Sequence, residues 1–327
     1  MSCVIVDLPS TTQIHILKKT FAPRIFVRLP NTFWNNATDS QIENTLSEIF
    51  TFVSSDVRVL LPSKECTLGA PDATVFIGTK ESDIRPINEL REKYNLSKLT
   101  FRDVSNFLSD IGAPMTTAKT TSKRKTYENV CLGGTFDRLH PGHKILLTKA
   151  CLVSTKRVVV GVTDYRESPK LGAKTLSGFM QPVQIRSELV RHFMSSIAPH
   201  LIIETTPITD PFGPSIVDKN LQAIVVSKET ARGGDAVRKK RLELGLCDID
   251  VVEIGLVGTN TTKTENTNQK LSSSGLRRDE LAKFLSNPNR DGKVYGRHQA
   301  SYWAPLSDLS NLPYCIAITG GIACGKS

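Results

Sequence analysis

The sequence predicts an α/β protein: a doubly wound parallel sheet over residues 127–286, preceded by a smaller α/β unit in residues 1–115. Three observations predict it. Val158-Val159-Val160-Gly161-Val162 is β-branched and almost wholly apolar, as expected of a strand covered on both faces by helices. Similar runs alternate with stretches whose apolar residues fall three or four apart, the helical period. Val130-Cys131-Leu132 runs into the pair Gly133-Gly134 before the next helical stretch, and doubly wound sheets hold their ligands beyond such strand ends.

In chain order, the first unit shows short apolar runs at Ile25-Phe26-Val27 and Val57-Arg58-Val59-Leu60-Leu61. Residues 116–126 are rich in Thr, Ser and Lys without apolar periodicity, a linker by composition. The strand at Val130 is followed by a helical stretch over Lys144–Leu152 and then by the strand at Val158. Ile185–Phe193 reads as a helix, Leu201-Ile202-Ile203 and Ala223-Ile224-Val225-Val226 as strands buried like the one at Val158. Asp235–Leu244 reads as a further helix, Val251-Val252-Glu253-Ile254 as a strand, and Asp279-Glu280-Leu281 as part of a last helix. Residues 287–313 read as a second linker, and Tyr314–Thr319 as a strand that opens a final segment, 314–327.

Composition narrows the function classes. With 39% hydrophobic and 23% charged residues, the chain has a globular composition, and no apolar run approaches the ~20 residues of a membrane helix. Val4-Ile5-Val6 lacks the basic flank and long apolar core of a secretory signal. The seven cysteines are scattered and form no CxxC pair, so neither a disulfide framework nor a zinc site is expected, and a cytoplasmic location is. A net charge of +10 invites a nucleic-acid reading. The surplus is diluted, however: 16 basic against 13 acidic residues in 1–125, 22 against 17 in 126–285, and 4 against 2 in 286–327. Outside Arg238-Lys239-Lys240-Arg241 it forms no stripe, and small anionic ligands account for it as well as a polynucleotide does.

The residues that carry chemistry begin at Gly133-Gly134-Thr135-Phe136-Asp137-Arg138-Leu139-His140-Pro141-Gly142-His143. Pro141 suits the first turn of a helix, where its missing N–H costs nothing. His140, His143 and the Thr135 hydroxyl are thereby placed at the carboxyl end of a strand beside a positive helix terminus, a site for a triphosphate. Gly142 lets a nucleotide approach the backbone. A second element, Ser272-Ser273-Ser274-Gly275-Leu276-Arg277-Arg278, offers small hydroxyls and helix N-terminal N–H groups to phosphate, with Arg277 as a fixed cation.

The Thr-Phe-Asp and His-Pro-Gly-His elements resemble the first signature of the nucleotidyltransferase superfamily, which includes class I aminoacyl-tRNA synthetases. Within it, Gly133 to His143 is most similar to phosphopantetheine adenylyltransferases of the eukaryotic type. The serine triplet before Arg277 resembles that family's second signature, and the lysine-centred one of the synthetases is not found. Thr209-Asp210-Pro211-Phe212-Gly213-Pro214 and Val226 to Gly234 resemble segments that flank the family's nucleotide site, making Arg232 and Gly233 nucleotide contacts. The family also has a lysine after its second strand. Counting back from Gln181-Pro182 favours Lys174, and counting forward from Asp164 favours Lys170.

The resemblance implies a Rossmann-like nucleotidyltransferase domain that joins an adenylyl group from ATP to 4'-phosphopantetheine, with Mg²⁺ on the triphosphate and no protein-held metal. It implies catalytic roles for His143, Thr135, Arg277 and Lys174, and nucleotide contacts by Gly133, Gly134, Phe136, His140, Gly142, Lys170, Arg232, Gly233, Ser272, Ser273 and Ser274. Rival readings are another nucleotidyltransferase, such as a cytidylyltransferase, and a non-catalytic nucleotide-binding fragment.

Gly320-Gly321-Ile322-Ala323-Cys324-Gly325-Lys326-Ser327 is a complete GxxxxGKS loop after an apolar strand, with Gly320, Gly325, Lys326 and Ser327 as phosphate contacts. It resembles the start of dephospho-CoA kinase, and this order of modules is that of bifunctional coenzyme A synthases, whose N-terminal region residues 1–110 resemble more faintly. A phosphate loop works against the helix that follows it. Nothing follows Ser327 here, so the expectation is no kinase activity in this chain. Protein partners through residues 1–115 and a peripheral place at mitochondria are left open, while no nucleic-acid partner is expected.

Overall fold

The computed structural model describes residues 3–7, 17, 22, 24–52, 56–62, 73–78, 81–103, 124–165, 174–255 and 272–286. The loop at Gly320–Ser327, the strand expected before it and Lys170 lie outside these residues.

Two five-stranded parallel sheets organise the described residues. The first contains β1 (Cys3–Asp7), β2 (Arg24–Arg28), β3 (Asp56–Leu60), β4 (Ala73–Gly78) and β5 (Thr100–Asp103), in the order β3-β2-β1-β4-β5. Helices α1 (Asn31–Asn36), α2 (Asp39–Phe52) and α3 (Arg85–Lys93) belong to it. The second contains β6 (Tyr127–Gly134), β7 (Ser154–Thr163), β8 (Ile202–Ile208), β9 (Ala223–Ser227) and β10 (Asp250–Ile254), in the order β10-β9-β6-β7-β8. Its helices are α4 (Pro141–Val153), α5 (Val183–Ile197), α6 (Ala231–Glu243) and α7 (Ser273–Ser286).

Numbered within each unit, both sheets read 3-2-1-4-5. The likeness extends to side chains. Arg91 in α3 and Arg241 in α6 are both fully buried, and each turns its Nε onto the carbonyl six residues on, Ser97 O at 2.7 Å and Cys247 O at 2.9 Å. Leu96 and Leu246 each donate a backbone N–H to the carbonyl of that arginine at 2.9 Å. Between them the chain reverses through a positive φ, 55° at Asn95 and 69° at Gly245, residue types that tolerate the left-handed region.

The strand at Val158 behaves as its composition predicts: Val158, Val160 and Val162 show no exposure, and Val159 shows 3%. The reading of 201–203 as a doubly buried strand is corrected. The strand is Ile202–Ile208 at the edge of the sheet, each residue exposed or half-buried, with Ile202 55% exposed. An edge strand is covered less well than a central one, so three apolar residues in a row overstate its burial.

The two units share one apolar core. α2 lies on α4 and β3 lies on α5. The Phe50 and Phe193 rings meet edge to face at 6.4 Å, and the Leu61 N–H donates to Ile197 O at 3.4 Å. Burial of one such phenylalanine contributes about 1.5–3 kcal/mol. No described helix is long and apolar enough to cross a membrane.

Candidate active site at the carboxyl edge of the second sheet

β6 and β9 are neighbours in the middle of the second sheet, and the chain leaves them into helices serving opposite halves of it: α4 leads to β7, α6 to β10. The crevice beyond their carboxyl ends is where an open α/β sheet binds ligand. The loop after β6 forms one wall. Phe136 and Arg138 in it adopt left-handed backbone, with φ of 50° and 51°, at a cost of order 1–3 kcal/mol each that surrounding contacts must offset.

Those contacts centre on Asp137, which is fully buried. Its carboxylate accepts from the Gln181 backbone N–H at 3.0 Å, from Arg138 Nη1 at 3.0 Å and from Arg277 Nη1. Gln181 returns a bond, its Oε1 accepting from the Arg138 N–H at 3.0 Å. Arg186, 2% exposed, ties the strand ends together. Its guanidinium donates to Thr135 O at 2.6 Å, Thr163 O at 2.9 Å and Gln181 O at 2.8 Å. The Phe136 ring fills the space beneath Gly134, where a Cβ would lie 2.9 Å from it.

The loop delivers the chain into α4 with Pro141 in the first turn and His140 as the extended residue before it. Both histidines face the crevice end of the helix. Their rings stack at 3.8 Å with 26° between planes, and the His143 ring lies 5.4 Å from that of Phe136. A side chain at position 142 would press on the His140 ring at 3.2 Å, so glycine there keeps the stack seated. Burial, with His140 beside it, holds the His143 pKa well below the ordinary histidine value, so its imidazole is neutral at physiological pH. Its Nδ1 is buried without a hydrogen-bond partner among the described residues. Thr135 is half-buried, and its hydroxyl lies 3.1 Å from the hydroxyl of Tyr165, two residues beyond β7.

α7 closes the site from the other side, 130 residues along the chain. Ser272 caps it, its Oγ accepting from the Gly275 N–H at 3.1 Å. Ser273 Oγ donates to Asp137 O at 2.7 Å, and Arg138 Nε donates to Glu280 at 2.8 Å. The helix N-terminus is thus brought to the His-Pro-Gly-His loop, with its partial positive charge available to an anion.

Two expected contacts emerge differently. Arg277 is 1% exposed, and its guanidinium is occupied by Asp137, by Thr175 O at 2.8 and 3.1 Å, and by Ser274 Oγ at 3.1 Å. It is a buried clamp across the site rather than a cation presented to phosphate. Phe136 has no exposed surface, so its side chain supports the loop instead of touching a nucleotide. Gly133, Gly134, Thr135, His140, Gly142, His143, Ser272, Ser273 and Ser274 are brought together around the loop. Arg232 and Gly233, in the first turn of α6 beyond β9, are exposed, and Lys174 is exposed ahead of the short turn at Ser177–Phe179. Arg186, Gln181 and Tyr165 also build the site, although no sequence motif points to them. Arg186 carries a signal of another kind: it shares a helical face with Val183, Ser187 and Val190, and a charge on an apolar stripe needs buried partners.

A family model described as cytidylyltransferase-like matches residues 131–279. The phosphopantetheine adenylyltransferase of Pyrobaculum aerophilum is 35% identical over 152 residues, 46% of this chain and 91% of that protein. The phosphopantetheine adenylyltransferase of Saccharomyces cerevisiae is 32% identical over 157 residues, 48% of this chain, and the match spans about half (49%) of the yeast protein's length. An uncharacterised protein of Schizosaccharomyces pombe is 28% identical over 255 residues, 77% of this chain and 70% of that protein. The conclusion from fold, site and relatives is that the chain belongs to the phosphopantetheine adenylyltransferase family of nucleotidyltransferases.

Proposed function

We propose that the chain transfers the adenylyl group of ATP to 4'-phosphopantetheine, giving dephospho-CoA and pyrophosphate, within residues 127–286. The observation that carries the reading is the stacked His140–His143 pair at the start of α4, the helix that follows the Gly133–Leu139 loop from β6. A 4'-phosphate, with a second pKa near ~6, is largely dianionic at neutral pH and needs no general base. One of its oxygens attacks the α-phosphorus of ATP in line, and the bond from that phosphorus to the bridging oxygen breaks as pyrophosphate departs.

Catalysis then consists of positioning and charge stabilisation. A neutral His143, its Nδ1 enclosed, presents the other ring nitrogen to the reacting phosphates as a hydrogen-bond donor. The Thr135 hydroxyl holds a phosphate oxygen, and His140 lies against the nucleotide. Arg232 and Lys174, or Lys170 in its place, neutralise the triphosphate, while the N-termini of α4 and α7 add fixed dipoles. Arg277 acts one step back, by holding Asp137 and the loop. Among the described residues no group of three or more His, Cys, Asp and Glu could hold a metal ion. Mg²⁺, as the family resemblance implies, would accompany the triphosphate and offset its charge.

Residues 314–327 are proposed, from the GxxxxGKS loop, to be the beginning of a dephospho-CoA kinase module that would consume the product. The test of the main proposal is pyrophosphate release with ATP or CTP paired with phosphopantetheine or phosphocholine. Turnover only with ATP and phosphopantetheine is expected; turnover with CTP and phosphocholine instead would overturn it.

A further inference from the structure

The first unit reaches the site's two supporting helices through buried charges. Lys144, the residue after His143, is 5% exposed, and its Nζ lies 3.3 Å from both Asp56 Oδ1 and Val57 O at the start of β3. Asp56 also accepts from Arg58 Nη2 and Arg24 Nε, each at 3.0 Å. Arg58, 4% exposed, continues across the junction to α5, donating to Ser196 Oγ at 2.6 Å and to His192 O at 3.3 Å. Farther along α4, Lys149 is 1% exposed and pairs with Asp39 at 2.8 Å and Glu43 at 3.6 Å, both from α2.

This placement is unusual for lysine, which is almost never fully buried unless paired. A cation at a helix N-terminus also opposes the helix dipole, so Lys144 has no local reason to be there. Its partners come instead from a unit that repeats the strand order of the catalytic sheet. The Lys144 backbone N–H donates to His140 O at 3.0 Å, which links the buried charge to the histidine turn itself.

We propose that the first unit is a positioning element for catalysis, in which Asp56, through Lys144, holds the first turn of α4 and hence His140 and His143 in register with Thr135. Arg58 does the same for α5, from which Arg186 holds the ends of β6 and β7. Asp56, Arg58, Lys144 and Lys149 touch no substrate. They act through the helices that carry the site.

The proposal rests on the adenylyltransferase reading for its kinetic arm alone, because its spectroscopic arm needs no turnover. In the full chain, Asp56→Asn is expected to lower kcat at least ~10-fold, since misplacements of the order of 1 Å have such effects. KM for ATP should move by less than about two-fold, the pattern of an interaction realised in the transition state. The His143 imidazole resonances, assigned by their loss in His143→Ala, should shift. Asp56→Asn/Lys144→Met should be no slower than the worse single variant, as expected when both residues serve one contact.

Thermal melting of each variant separates this from simple support of the fold. A lower melting temperature with unchanged kcat per folded molecule and unmoved His143 resonances overturns the proposal. Should Asp56→Asn not fold, Asp39→Asn removes a half-exposed carboxylate from Lys149 on the same helix. A kcat loss of about two- to five-fold is then expected, and an unchanged kcat is overturning. If the native chain shows no turnover, the assigned activity fails, yet the shift of the His143 resonances still decides on positioning.

Discussion

Replacement of Arg277 by glutamine separates two roles for the same residue. If Arg277 were chiefly a cation for phosphate, its loss would leave stability unchanged and reduce catalysis by ~10²–10³, as for a preorganised donor. The structure instead buries its guanidinium against Asp137, which itself shows no exposure. Removal of one partner of a buried pair typically costs ~3–5 kcal/mol, because the other charge stays desolvated. Asp137 retains Arg138 and the Gln181 N–H, which places the expected loss at the lower end, about 3 kcal/mol. Thr175 O and Ser274 Oγ lose their donor as well. For a unit the size of the second sheet and its helices, about 2–4 °C of melting temperature accompanies each kcal/mol. Arg277→Gln should therefore melt roughly 6–12 °C lower by circular dichroism, and turn over more slowly as the loop loosens. A melting temperature within about 1 °C of the native chain, which by the same scaling means well under 1 kcal/mol, combined with a large drop in kcat, would refute the clamp.

His143→Ala should fold normally and release pyrophosphate ~10²–10³-fold more slowly. Turnover near the native rate in the folded variant would remove His143 from the mechanism. Because its folded pKa lies well below the unfolded value, His143 opposes folding only as pH falls below about 6.5, and its resonances should not titrate between about pH 6.5 and 8. Burial alone would raise the Asp56 pKa, but Arg58 and Lys144 hold it down at about 2. The depressed value contributes about 2 kcal/mol above pH 4, and that is lost as pH falls from about 4 through 2. Asp56→Asn should lack this part of the acid-unfolding slope; an identical slope would count against the buried network. Burial pushes the Cys131 thiol up to about 12, whereas Cys247 is exposed. Iodoacetamide at pH 8 should alkylate the Cys247 peptide and spare Cys131 in the folded chain, as read by mass spectrometry.

The α/β class and the placement of the central strands were legible in the residue pattern. Val158 to Val162 is covered on both faces, and a near-continuous apolar, β-branched run is the signature of such a strand. The histidine turn was legible too, because Pro141, Gly142 and the flanking histidines interact locally, within a single turn of chain. Edge position was not legible in Leu201-Ile202-Ile203, since exposure depends on which strand lies beyond it. Nor was the fate of Arg277: a helix N-terminus with serines and an arginine looks the same whether the cation faces phosphate or a buried carboxylate. Its partner Asp137 lies 140 residues away, and Asp56 lies 88 residues from Lys144. Contacts at that separation leave no periodic trace, because burial of a charge is decided by what packs over it. Only the tertiary structure joined the repeated unit of β1–β5 to the helices behind the site.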